Sequence, residues 1–164
     1  MQLRRIIIGA VLSLAACTTA SVPTQRASSG DPLAAPAAGE WPSDGRDYTA
    51  QRYSPLTQID DGNVSRLGLA WFDQYETYRG VEATPIFADG VLYNTLPFNV
   101  TIAYDARTGE RLWTYDPQTP REMGRYACCE PVSRGLALHG DKVIIATLDG
   151  RLIALDKDTG RPLW

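Results

Sequence analysis

The sequence predicts an all-β fold made of a repeated unit of short strands. Three observations point to it. Gly (14) and Pro (11) are plentiful, and the longer segments lack helical periodicity. Hydrophobic residues make up 44% and charged residues 21%, the composition of a chain that folds rather than stays disordered. Finally, Ala103 to Trp113 reads A-Y-D-A-R-T-G-E-R-L-W and Ala154 to Trp164 reads A-L-D-K-D-T-G-R-P-L-W, six shared positions at a step of 51 residues. A period of that size built from short strands means a propeller or a solenoid. A coincidental pair of hairpins would not repeat all six positions at one spacing.

Taken in order, the chain opens M-Q-L-R-R-I-I-I-G-A-V-L-S-L-A-A-C. Arg4 and Arg5 give a basic start, and Ile6 to Leu14 is apolar but too short to span a bilayer stably. The pattern reads as a bacterial export signal. L-A-A-C, Leu14 to Cys17, resembles a lipobox, in which small residues admit the chain to a peptidase and the thiol takes a diacylglycerol. Residues 1–17 are therefore expected to be a lipoprotein-type signal with lipidation at Cys17; a plain secretory signal cut elsewhere would discard Cys17 instead. Thr18 resembles the outer-membrane sorting pattern. Either way the mature protein is expected to leave the cytoplasm for the periplasm, and in the lipoprotein reading the lipid on Cys17 anchors it to a membrane. Residues 18–40 are small, polar and Pro-rich, and read as a flexible linker.

The repeated units fill the rest. Each opens with a strand, G-V-L-Y-N-T in the first and K-V-I-I-A-T in the second. A turn and a second strand lead into D-x-x-T-G, and a further strand opens at the tryptophan. Asp105 and Asp156 can cap backbone N–H groups two residues on, and Gly109 and Gly160 can supply positive φ. Trp113 and Trp164 are apolar plugs for the space between neighbouring sheets, each with an indole N–H that needs a partner. Two such units leave apolar faces open, because repeat architectures need more neighbours. The chain is thus expected to be the front end of a longer protein and unstable in isolation.

Charge and cysteine usage narrow the function. Net charge is −3 with scattered basic residues, which gives no footprint for nucleic acid. The lone histidine, His139, is expected in an exposed hairpin turn rather than as a ligand or base. The sequence holds no metal-ligand cluster and no C-x-x-C-H haem site. Two of the three cysteines, Cys128 and Cys129, are adjacent in Y-A-C-C-E-P-V-S-R. They are either free cysteines buried in a strand or a strained pair at a functional site.

A-x-D-x-x-T-G-x-x-W resembles the tryptophan-docking motif of the quinoprotein β-propellers, about eight blades in a ring. W-P-S-D-G-R-D-Y-T-A-Q-R-Y-S-P-L-T-Q-I (Trp41 to Ile59), N-V-S-R-L-G-L-A-W (Asn63 to Trp71) and V-E-A-T-P-I-F-A-D-G-V-L-Y (Val81 to Tyr93) resemble the alcohol-oxidising dehydrogenases that use pyrroloquinoline quinone (PQQ). Residues 41–164 are accordingly expected to be the N-terminal part of a PQQ β-propeller domain, its first blades. The resemblance implies that Glu82, on a strand, hydrogen-bonds the cofactor and that Arg134 binds its polar groups through a planar fork of donors. It also implies a disulfide between Cys128 and Cys129 lying flat on one face of PQQ, closed far from relaxed geometry in an oxidising compartment. Trp113 and Trp164 are implied to dock blades. Ser133 stands where an asparagine is often seen, and Glu130 with Pro131 departs from the commoner acidic-apolar pair. Thr147 has no implied cofactor role.

The implied activity of the whole protein is oxidation of an alcohol to an aldehyde or ketone. Ca²⁺ polarises the quinone, and its ligands and the catalytic aspartate are expected on later blades. Cytochrome c or a membrane quinone would accept the electrons. The competing expectation is a non-enzymatic outer-membrane lipoprotein propeller that acts as an assembly scaffold, which the L-A-A-C motif suits. A third is a truncated, decayed quinoprotein frame.

Overall fold

The structure, a computed structural model, describes residues 35–164. The export signal, Cys17 and the linker through residue 34 lie outside the described residues. Among the described residues seven short strands form two antiparallel sheets. The first sheet is a meander of β1 (Ile86–Ala88), β2 (Val91–Thr95), β3 (Thr101–Asp105) and β4 (Arg111–Tyr115). The second runs β5 (Ala137–His139), β6 (Lys142–Ala146) and β7 (Leu152–Asp156). Short 3₁₀ stretches occur at Val64–Arg66, Pro97–Asn99 and Arg121–Arg125. Among the described residues no helix is long and apolar enough to cross a membrane.

Register explains how the blades meet. Ile86 pairs with Tyr93, Tyr93 with Ala103 and Ala103 with Trp113, so these four form one row across the first sheet. All four are buried and belong to one core cluster with Val143, Ile145, Ile153 and Leu155 of the second sheet. In that sheet Val143 pairs with Leu155 and Ile145 with Ile153, which puts the four on one face. The core of the molecule is therefore the interface between two blades. The opposite face of β3 packs on a strand-like approach segment, where the Trp71 and Tyr104 rings stack at 5.8 Å.

The D-x-x-T-G turns work as the sequence suggests. Asp105 accepts the N–H groups of Arg107 and Thr108, both at 2.9 Å. Asp156 accepts the Thr159 N–H at 2.8 Å and its hydroxyl at 2.6 Å. Gly109 and Gly160 sit at φ +76° and +69°, the left-handed region that glycine enters without strain. These bonds, Thr108 and Thr159 first among them, hold both carboxyls below their ordinary pKa of 3.8. A depressed folded-state pKa adds stability that is complete above the unfolded value and is lost as pH falls through the folded one. Thermal stability should therefore decline below about pH 3.8. In the Asp105→Asn, Asp156→Asn double variant that part of the decline should be missing from a series of melts against pH. An unchanged acid slope would remove the turns as its source.

The turn's receiving role shows in the tryptophans. The Trp113 indole N–H donates to Lys157 O at 3.0 Å, and its ring lies so close to Gly160 that a Cβ there would stand 2.6 Å from it. One turn further up the chain, Trp71 donates to Ala106 O at 2.9 Å and covers Gly109 with the same 2.6 Å approach. Each docking tryptophan thus caps the turn of the following blade. Trp164 extends the series in sequence, but it is 57% exposed, and no described turn receives it.

Several expectations need correction. Each unit has a strand, β1 or β5, ahead of the one that the sequence takes as its opening, and in the second unit Pro162 to Trp164 only begin to pair with β7. β4 starts two residues before its tryptophan, at Arg111. Glu82 is not on a strand: it sits in the extended connection ahead of β1, because pairing begins only at Ile86. Thr147 lies just past β6, in a turn where its hydroxyl meets Asp149 and Arg151. His139 ends β5 and is exposed. The end of the segment read as linker is held in place: Arg46 donates to the carbonyls of Pro36 and Ala37, and the Glu40 carboxylate accepts the Asp89 N–H at 3.1 Å.

Candidate functional site

The long connection from β4 to β5 carries the residues of interest. It leaves Tyr115, makes the 3₁₀ turn Arg121–Arg125, passes Cys128 and Cys129, and enters β5 through Arg134 and Gly135. Glu130 takes φ +69° directly after the cysteines, and Gly135 takes φ +139°. The segment ahead of β1 runs beside it. A Cβ on Gly80 would lie 3.7 Å from the Val132 side chain, and one on Gly135 would lie 3.9 Å from Thr84 O. Two connections far apart in sequence are therefore neighbours in space.

That adjacency brings the sequence-predicted residues together. An Arg134 Nη lies 3.4 Å from a Glu82 carboxylate oxygen, and both side chains remain accessible, at 75% and 45%. Cys129 lies within electrostatic range of that pair, and Cys128 is its immediate neighbour. The thiol of Cys129 is pushed above its ordinary pKa first by its hydrogen bond with Cys128, then by the Cys128 charge; Arg134 pulls it back down while Glu82 adds to the rise. The two sulfurs are 2.8 Å apart, and both cysteines are exposed free thiols in this structure. Burial in a strand does not occur. The bridge that the sequence resemblance implies is not closed here, and peptide mass tests whether the exported protein closes it. Trypsin cuts after Arg125 and Arg134, and the unreduced peptide Tyr126 to Arg134 is expected about two hydrogens lighter than the reduced one. Equal masses would remove the bridge.

The second half of the connection is fastened to the turn that follows β2. The Phe98 N–H donates to Pro131 O at 2.8 Å. Asn99 donates to the Ser133 hydroxyl at 3.2 Å. On the other side, Tyr104 donates to Asp73 at 2.6 Å, and Arg111 grips the same carboxylate with two bonds of 2.7 Å. The Arg111 bonds, foremost, hold the Asp73 carboxyl below its ordinary range, and burial pushes the Tyr104 hydroxyl up. This cluster anchors the approach segment from Trp71 to Tyr75 on the first sheet. Sequence reasoning missed Trp71 as a docking residue, although it ends L-G-L-A-W with the leucine-tryptophan flavour of the repeat. It also missed Asn99, for which P-F-N between two strands gave no chemical signal.

Among the described residues no group of three or more His, Cys, Asp or Glu side chains could hold a metal ion. What the arrangement offers is an acceptor, a fork of donors and a pair of polarisable sulfurs on one open surface. That combination suits the edge and face of a flat, polar, anionic molecule.

Antiparallel blades locked by tryptophans on D-x-x-T-G turns define a docked β-propeller, and this chain supplies consecutive parts of one. A family model described as PQQ, glucose/ethanol/alcohol dehydrogenase, β-propeller domain, matches residues 41–164, and the chain belongs to that family. It is 54% identical over 128 residues to Quinohemoprotein alcohol dehydrogenase ADH IIB of Pseudomonas putida, a match covering 78% of this chain and 19% of the relative. It is equally similar, at 54%, to 1-butanol dehydrogenase (cytochrome c) of Thauera butanivorans, covering 78% of this chain and 18% of that protein. Among solved structures, the quinohemoprotein alcohol dehydrogenase of Comamonas testosteroni superposes with a TM-score of 0.76 at 50% identity, over 79% of this chain and 19% of the other. A europium-containing methanol dehydrogenase superposes at 0.73 with 36% identity, over 84% of this chain and 23% of the other. The chain thus spans about a fifth of the length of the relatives it matches.

Proposed function

We propose that this chain is the opening part of an exported, PQQ-dependent dehydrogenase that oxidises alcohols to aldehydes or ketones, and that Glu82, Cys128, Cys129 and Arg134 form one wall of its PQQ site. The observation that carries the reading is the meeting of two sequence-distant connections at the Glu82–Arg134 pair beside the vicinal cysteines. PQQ is planar and carries carboxylates and quinone oxygens. The open guanidinium and the nearby sulfurs fit its edge and face.

When bound, PQQ supplies a two-electron acceptor for hydride from the alcohol carbon. The residues of this chain bind and orient. Arg134 offers parallel N–H donors to carboxylate or quinone oxygens. Glu82 accepts from a polar edge and holds Arg134 in reach. Cys128 and Cys129, closed as a bridge after export, present a rigid apolar plate to the ring. We place the Ca²⁺ ligands and the catalytic base outside this chain. Electrons would leave to a cytochrome c or a membrane quinone. Periplasmic location, with lipid on Cys17 as an outer-membrane anchor, is part of the same proposal; intact-mass analysis of the mature N-terminus lacking a diacylglycerol would remove the anchor.

The test is alcohol-dependent dye reduction by the complete protein supplied with PQQ and Ca²⁺. Turnover of a primary or secondary alcohol is the expected result. A folded, complete protein that does not bind PQQ would overturn the reading and favour a non-enzymatic scaffold at the outer membrane.

A further inference from the structure

The turn between β2 and β3 is unusual. Phe98 and Asn99 are consecutive non-glycine residues in the left-handed region, at φ 62° and 64°, and both are buried at 5% exposure. Such conformations persist where the surroundings over-determine them, and they concentrate at functional sites. Here the surroundings are the site's own connection. The Phe98 N–H holds Pro131 O. Its ring lies under two guanidinium groups, Arg121 at 4.2 Å and Arg79 at 5.5 Å from the centroid, so it also clasps the 3₁₀ turn that precedes the cysteines.

Asn99 uses its whole side chain. One amide N–H₂ donates to the Ser133 hydroxyl at 3.2 Å and to Ala146 O at 3.1 Å, while the amide oxygen accepts the Leu148 N–H at 3.0 Å. A residue of the first blade therefore joins the segment before Arg134 to the end of β6 in the second blade. Ser133, its partner on the connection, is buried at 5% exposure and is the immediate neighbour of Arg134. Left-handed geometry is what lets one short side chain reach all three points, and asparagine is among the few residues that enter it readily.

We infer that Asn99 is a positioning residue for the cofactor wall, fixing the segment from Cys128 to Arg134 against the second blade. The inference rests on the PQQ-site reading above, because it assigns Asn99 to that same wall. It predicts two separable effects of Asn99→Gly in the complete protein. Glycine keeps the backbone turn, since φ near 64° costs it nothing, and deletes only the side chain. Hydrogen exchange of the Tyr126 to Arg134 peptide in the apo protein should rise by about tenfold or more, while peptides of β2, β3 and β7 keep their rates. PQQ affinity should fall on the order of tenfold, the scale of one or two lost hydrogen bonds at a buried joint. Ser133→Ala, which removes only the contact to the connection, should give the same pattern at smaller size, and it serves if Asn99→Gly fails to fold. A change confined to thermal stability, with exchange of that peptide and PQQ affinity both at wild-type values, would overturn the inference. If the wild-type protein binds no PQQ, the functional reading fails, and the exchange measurement still decides whether Asn99 positions the loop.

Discussion

Arg134→Ala in the complete protein is expected to weaken PQQ binding by roughly 30- to 100-fold, the scale of a charge-assisted hydrogen bond of about 2–3 kcal/mol. Glu82→Ala should weaken it less. The difference follows from charge. Removing Arg134 leaves the Glu82 carboxylate alone opposite an anionic cofactor, so a repulsion is added to a lost attraction. Removing Glu82 costs an acceptor but leaves the guanidinium free for the cofactor. The two residues are in contact at 3.4 Å, so their effects should not add. Neither change should move the melting temperature much, because ion pairs this exposed contribute about 0–1 kcal/mol to stability. Equilibrium titration with PQQ, alongside a thermal melt of each variant, reads both quantities. Unchanged affinity in both variants would take the pair out of the site.

Trp113→Ala is expected to cost about 3–5 kcal/mol of stability, the range for deleting a large buried aromatic side chain. Trp113 is 9% exposed, lies in the core row of its own sheet, and caps the turn of the next blade through Lys157 O. Its loss opens a cavity at the blade interface and leaves that carbonyl without its donor. Gly160→Ala attacks the same joint from the other side. A methyl group there would collide with the indole at 2.6 Å, on a backbone at φ +69° that alanine resists. Trp113→Phe should recover most of the loss and leave a deficit on the order of 1 kcal/mol for the missing hydrogen bond. Denaturant unfolding of the complete protein measures the series. A wild-type midpoint in Trp113→Ala would show that blade docking contributes nothing.

Much of this was legible in the sequence, for physical reasons. The D-x-x-T-G turn is local: an aspartate that caps N–H groups a few residues on, followed by a glycine with positive φ, needs no tertiary information. Its second role, as the seat for a tryptophan, shows only in the structure, where Trp71 and Trp113 cover Gly109 and Gly160. The meeting of Glu82 with Arg134 was reached only by resemblance, since nothing in either local sequence brings two connections 52 positions apart into register. Strand limits were less legible. Glu82 lies in a partly apolar run, yet it stays unpaired: the ladder to β2 starts at Ile86 opposite Tyr93, just after Pro85, which has no N–H to donate. Asn99 was invisible because its value depends on three partners, at Ser133, Ala146 and Leu148, that only the blade interface assembles. Trp71 could have been found by asking which tryptophan fills the seat at Gly109.

The most direct test of the proposed wall is a crystal structure of the complete protein with PQQ bound. Arg134 and Glu82 are expected within hydrogen-bond distance of the cofactor's polar edge, with Cys128 and Cys129 bridged and lying against the ring face. PQQ bound elsewhere in the propeller, with the Glu82–Arg134 pair still facing solvent, would contradict it.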